Sequence, residues 1–301
     1  METRILEWTW RGEIIRVGAD ARGSGPPVLL LPALSSISSR REMRPLQERL
    51  APRYATLAVD WPGFGDAPRP QVDWTPDAYS DFLNFVLTSV MVQPHAIIAA
   101  GHAATYVLKH AADAAPPTPR LVLIAPTWRG PLPTMAGGQR PFFDRLCRLV
   151  DRPGLGPLIY RLNVNPFMVR RMGAGHVYAD PAFLDEGRLR QKLNVVRAPG
   201  ARFASVRFVT GRLDPLASRD AFLDLARRAA VPILLVYGAE TPPRSRAEME
   251  ALAAVGGIRT ARLPRGKLAV HEEFPDATIN AIGPFLGEEQ PAATPESRFS
   301  V

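Results

Sequence analysis

A largely parallel α/β sheet with helices on both faces is the fold class that this sequence predicts. Two observations predict it. Short continuous apolar runs, of the kind that strands buried on both faces require, recur along the chain, and amphipathic or alanine-rich stretches of helical length separate them. A third observation adds a part: between residues 128 and 215 the strand pattern stops and arginine-bearing apolar clusters replace it, which predicts an inserted helical lid.

The elements follow in order. Residues 5–10 and 13–17 alternate around Arg11-Gly12, the signature of a hairpin at a sheet edge. Apolar runs at 27–34 and 55–60 are strands, separated by a helix over 40–50 that starts near Ser39. Thr75-Pro76-Asp77 supplies an N-cap, a proline at the first helical position and an early acid for the amphipathic stretch 78–91. Strands are expected at 96–100, 121–125, 233–237 and 258–263, with helices at 103–114, 219–230 and 245–255 and a last one after Pro275. Within the lid the apolar clusters are 141–150, 157–162 and 166–172. The core is therefore expected over 1–127 and 216–286, the lid over 128–215, and a disordered tail over 287–301, rich in Glu, Pro, Ala and Ser.

Composition narrows the function classes. The chain has 301 residues, 46% hydrophobic and 22% charged, which suits a compact core. Its opening residues carry no apolar segment of signal-peptide length, and no later run reaches the roughly 18 apolar residues of a membrane helix, so a cytoplasmic protein is expected. The single cysteine, Cys147, has no partner for a disulfide or a metal cluster and reads as packing; no motif calls for a metal or cofactor. The net charge of +8 rests on arginine, since Lys109, Lys192 and Lys267 are the only lysines. Between Trp128 and Asp214 there are 15 basic and 6 acidic side chains, so the surplus belongs to the lid. A solvated basic face is one reading. The other is a partner surface, because Phe142, Phe143, Leu146, Leu149 and Val150 interleave with Arg145, Arg148 and Arg152, which suits an acyl chain or an anionic membrane. Nucleic acid is not expected, as no recognition motif accompanies the charge.

Gly101-His102-Ala103-Ala104-Thr105 follows the apolar run 96–100 and precedes a helical stretch. Strand, sharp turn and helix is the context of a nucleophile elbow, G-x-S-x-G, where the strained turn lifts a serine hydroxyl toward a histidine and toward backbone amides. Ala103 stands at the nucleophile's place and has no oxygen. With Val28-Leu29-Leu30-Leu31-Pro32-Ala33, Val59-Asp60-Trp61-Pro62-Gly63-Phe64-Gly65-Asp66, Val231-Pro232-Ile233-Leu234-Leu235-Val236-Tyr237-Gly238 and His271-Glu272-Glu273-Phe274-Pro275, the elbow resembles the α/β-hydrolase superfamily in order and spacing over about residues 5–286.

The resemblance implies a catalytic triad, and every position of it departs from the pattern. The family's acid position is Thr241, with Glu240 one residue earlier, and its histidine position is Leu268. The oxyanion amides would be those of Leu34 and Ala104, which as backbone donors survive substitution. His102 is expected to pack beneath the elbow and, with Trp128, to border the pocket. Thr105, in place of the pattern's last glycine, is a threonine nucleophile only if the turn is read one step later; otherwise its hydroxyl bonds nearby backbone. His271 is the sole histidine after the last strand and could act as a relocated base, and Asp214 or Glu240 could orient it. The expectation is a non-hydrolytic binder of a small hydrophobic or acyl-type ligand, a pseudoenzyme. The alternative is a hydrolase, esterase or lyase that uses His271, Glu240 or Asp214.

Overall fold

A computed structural model describes residues 1–113 and 119–288. The tail expected from 287 therefore lies, from 289 onward, outside the described residues. Eight strands form one sheet: β1 (Glu2–Trp10), β2 (Glu13–Arg22), β3 (Pro27–Leu31), β4 (Ala55–Val59), β5 (Ala96–Ala100), β6 (Arg120–Ile124), β7 (Ile233–Gly238) and β8 (Ile258–Leu263). Their order is β1-β2-β4-β3-β5-β6-β7-β8. The pairs β1/β2 and β2/β4 are antiparallel and all others parallel.

Each strand obeys its surroundings. β5, β6 and β7 are buried along their whole length, which is why AIIAA, LVLI and ILLVYG read as apolar runs, while Arg120 at the start of β6 is buried with its guanidinium donating to Phe285 O. The edge strand β8 instead leaves Arg259, Thr260 and Arg262 exposed, and such charged side chains at an edge disfavour pairing with another chain. The expected hairpin is present but longer, reaching Glu2 and Arg22; Arg11 and Gly12 both take positive φ, the two-residue turn that matches strand twist.

The helices are α1 (Arg44–Leu50), α2 (Pro76–Phe85), α3 (Ala103–Asp113), α4 (Pro131–Ala136), α5 (Pro141–Asp151), α6 (Leu155–Asn163), α7 (Pro166–Met172), α8 (Glu186–Arg197), α9 (Ala201–Val209), α10 (Arg219–Arg228), α11 (Pro243–Ala253), α12 (Val270–Glu273) and α13 (Pro275–Gly287). Helices α4, α8 and α9 lie outside the expected elements, and two of the expected helices differ in form. The helix from Ser39 begins as a 3-10 turn, Arg40–Met43, because Pro45 at the second position of α1 cannot donate to the preceding turn. The stretch after Thr75 leaves α geometry at Phe85 and ends in a π turn, Val86–Val90.

Helices α4–α9 lie between β6 and β7 and carry small apolar clusters of their own: Cys147, Val150 and Val206 form one, Val169, Leu189, Leu193 and Val196 another. Cys147 is thus packing, and burial pushes its thiol pKa up. Helix α9 ties these helices down, since Phe203, Ala204 and Phe208 join the main core and Arg207 reaches Asp73 at 3.0 Å and Asp151 at 2.9 Å.

The loop after β4 has a structural role. Buried Arg40 bridges Asp20 at 3.1 Å, Asp60 at 2.6 Å and Asp66 at 2.5 Å. Gly65 sits at φ +75, and a Cβ there would lie 2.1 Å from Asp60 Oδ2, so only glycine closes this loop.

Candidate active site

A sharp turn forms between β5 and α3, with its strained residue at Gly101, whereas Ala103, at the nucleophile's place in the sequence reading, takes no positive φ and lies in the first turn of α3. Gly101, at φ +54, turns β5 into α3; its N–H donates to Ile124 O at 2.9 Å, and Thr127 N–H donates to Gly101 O at 3.1 Å. A Cβ on Gly101 would lie 3.1 Å from Ala33 Cβ, which sets the elbow against the end of β3. Ala103 opens α3 with no solvent exposure, and Leu34 and Ala104 are equally enclosed. Thr105 donates its hydroxyl to Thr127 O at 2.9 Å, which ties α3 to the loop after β6. The Ala104 amide, one of the two oxyanion donors implied by the resemblance, points a long 3.3 Å bond at Gly101 O.

Leu268 and Thr241 occupy the positions at which the resemblance implies a histidine and an acid. Leu268 packs against the main core. Thr241 is 2% exposed and its hydroxyl is without a hydrogen-bond partner. Glu240 does different work: its carboxylate accepts from Gly266 N–H at 2.8 Å while its own N–H donates to Gly266 O at 3.1 Å, clasping the loop that carries Leu268.

Asp214 and His102 come together, 3.4 Å between Nε2 and Oδ1. Asp214 also accepts the Gly130 N–H, at 2.9 and 3.0 Å. Burial drives its pKa up to about 7, against the pull of Gly130 and Arg129. Burial likewise drives His102 down to about 4, although its contact with Leu213 O opposes this. At neutral pH this imidazole is uncharged, its ring wedged against Tyr106 and Phe208 at 6.0 and 5.8 Å. Trp128 donates its indole N–H to Glu248 at 3.0 Å.

His271 belongs to a second buried group that joins core and lid. Its Nε2 lies 3.5 Å from Glu42 Oε1, and both side chains are almost wholly buried. Ala33 N–H donates to the same Glu42 oxygen at 2.7 Å. From the lid, Lys192 Nζ reaches Glu272 at 3.0 Å and Glu42 at 4.0 Å, and Tyr178 donates its hydroxyl to Glu272 at 2.7 Å. Burial alone would raise the Glu42 pKa, but contact with His271, Lys192 and the Ala33 amide holds it below the usual carboxylate range. Burial opposes the Lys192 charge, and Glu272, Tyr178 and Glu42 outweigh it, so its pKa is raised.

Glu42, Lys192 and Tyr178 were outside the sequence's candidates. Lys192 carried a faint signal as one of three lysines in an arginine-rich chain, whereas Glu42 carried none. The chemical consequence of Glu42 is electrostatic. A carboxylate bonded to the Ala33 amide places negative charge one residue from the Leu34 amide, and an oxyanion developing there would be repelled. Among the described residues, no three His, Cys, Asp or Glu side chains are grouped to hold a metal. A surface cavity of about 530 Å³ is lined by Arg40, Arg41, Arg44, Arg188 and Glu272 among others, and Ala103 is not part of its wall.

Comparison with known proteins places this geometry. No curated protein sequence matches the chain. Solved structures do: an esterase from Thermogutta terrifontis at 17% identity and TM-score 0.69, covering 95% of this chain and 98% of its own. An enol-lactonase from Burkholderia xenovorans matches at 16% and 0.69, covering 94% and 100%, and a haloalkane dehalogenase from Agrobacterium tumefaciens at 17% and 0.69, covering 94% and 96%. At such identities these likenesses speak for the fold alone. The model of the alpha/beta hydrolase family matches residues 28–281, and the chain belongs to that family.

Proposed function

We propose that this protein is a non-hydrolytic member of its family, which holds a small hydrophobic or acyl-type ligand between sheet and lid without cleaving it. The observation that carries the reading is the turn from β5 into α3, where neither Gly101, which takes the strained φ, nor Ala103 after it offers a hydroxyl. Acyl transfer on this fold needs a hydroxyl, a base in reach of it and an acid to orient the base, and loss of triad members costs about 10⁴ to 10⁶ in rate. Here alanine, leucine and threonine stand at those positions, and the Glu42 charge opposes an oxyanion as well. The side chains at these positions, Leu34, Ala103, Ala104 and Leu268, are all apolar, which suits an aliphatic chain.

One observation favours a second reading, an enzyme with a relocated base: His271 is paired with a carboxylate, that of Glu42 rather than of Glu240 or Asp214. Turnover of a short-chain aryl ester by wild type and by His271→Ala, against buffer, separates the two. No turnover above buffer, with a rise in Tm on adding decanoate, is expected. Turnover that disappears in His271→Ala overturns the non-hydrolytic reading.

A further inference from the structure

We infer that the outer surface of the lid is a docking face for an anionic lipid bilayer. Outside residues 128–215, the described chain exposes only four large apolar side chains, Met1, Ile5, Ile14 and Val92. Within the lid they recur helix after helix. Phe142 of α5 is 62% exposed, Leu158 and Leu162 of α6 are 56% and 65%, and Phe167 of α7 is 67%. Helix α6 shows that this is a face rather than a scatter. Leu155, Leu158 and Leu162 share one side at helical spacing, while Ile159 and Tyr160 pack inward against Cys147, Val150 and Val206.

Arginines stand among these side chains and are free of ion pairs. Arg145, Arg148, Arg161 and Arg171 are exposed and pair with no acid among the described residues. Three of the segment's acids are engaged elsewhere, Asp144 with Arg212, Asp151 with Arg207 and Asp185 with Arg188. Leucine and phenylalanine tips between unpaired guanidinium groups match a phosphate-bearing interface, where apolar groups enter the acyl boundary and arginines meet headgroups. A second copy of the chain fits poorly, because it would bring two faces of the same positive charge together. No helix among the described residues is long and apolar enough to cross a membrane, so the contact is peripheral.

The test is co-sedimentation of the full chain with vesicles of phosphatidylcholine alone and of phosphatidylcholine with phosphatidylglycerol. Binding to the anionic vesicles only, weakening as salt rises, is expected. Neutralising Arg145, Arg148 and Arg161 to Gln should weaken binding about a hundredfold, at roughly fivefold for each arginine. Leu158→Ser with Leu162→Ser and Phe167→Ser should weaken it by at least about tenfold at low salt, whereas Ile14→Ser on the exposed hairpin should leave it unchanged. All these positions are exposed, and unchanged circular dichroism and Tm establish that the variants fold. The proposal is overturned by absence of binding, by equal binding to uncharged vesicles, or by binding indifferent to the apolar substitutions. A concentration-dependent dimer that those substitutions abolish would assign the face to a second copy instead.

Discussion

Replacing Lys192 with Met tests the buried group that joins lid and core. The substitution keeps the side-chain length and removes the charge. Lys192 is 9% exposed in its side chain and lies 3.0 Å from Glu272 and 4.0 Å from Glu42. At an effective dielectric constant of about 20, those contacts are worth roughly 5 and 4 kcal/mol before desolvation. Taking the ammonium out of water offsets several kcal/mol of this, while its removal leaves Glu42 buried beside no cation, so a net loss of about 3–5 kcal/mol is expected at pH 7. For a chain of this size that lowers Tm by about 10 °C. The penalty also depends on pH. In the wild type Glu42 titrates below its ordinary value, so its contribution is present at neutral pH and is lost on acidification. In the variant burial is no longer opposed by Lys192, Glu42 takes up a proton more readily, and the gap to wild type narrows from pH 8 to pH 5. Urea unfolding followed by fluorescence of the 5 tryptophans measures both effects. A penalty below about 1 kcal/mol at pH 7, or one constant across that range, would refute the reasoning.

Other outcomes follow from the same geometry. Ala103→Ser should not create an esterase, because Leu268 supplies no base; aryl-ester turnover above the wild-type rate would contradict this. Thr105→Val leaves the Thr127 carbonyl without its hydroxyl donor and should cost about 1–2 kcal/mol in urea unfolding with no change in ligand binding. Asp214, raised to about 7, binds a proton in the folded state that the unfolded chain releases near its ordinary 3.8, so its ionisation erodes stability as pH rises between those values. Asp214→Asn keeps an acceptor for Gly130, and its stability relative to wild type should therefore grow from pH 5 to pH 8; a constant difference would disprove the assignment.

The legible and illegible parts of the sequence differ for a physical reason. β3, β5 and β7 could be read because burial on both faces demands apolar side chains at every position, and hydropathy records that demand locally. The elbow could be read because a strand, a glycine at positive φ and an alanine-rich helix are contiguous. Helix α8 could not: it is polar overall, and only Leu189, Leu193 and Val196 reveal its inner face while Lys192 beside them is buried too. A charge is buried where distant residues compensate it. Glu42 from the turn before α1, Lys192 from α8 and His271 and Glu272 from α12 come together only after the chain has folded, so no window of sequence contains the reason for any of them. The same logic explains why His271, the histidine the sequence could single out, has its partner in an acid the sequence could not. Glu240 and Asp214 were candidates by their spacing after glycines, yet Gly211 follows α9 rather than a strand, Glu240 is engaged by the Gly266 amide, and Asp214 accepts from Gly130 and meets His102 rather than His271. Spacing identifies acids that follow a glycine, and only the folded chain decides which of them meets an imidazole and whether that imidazole is His102 or His271.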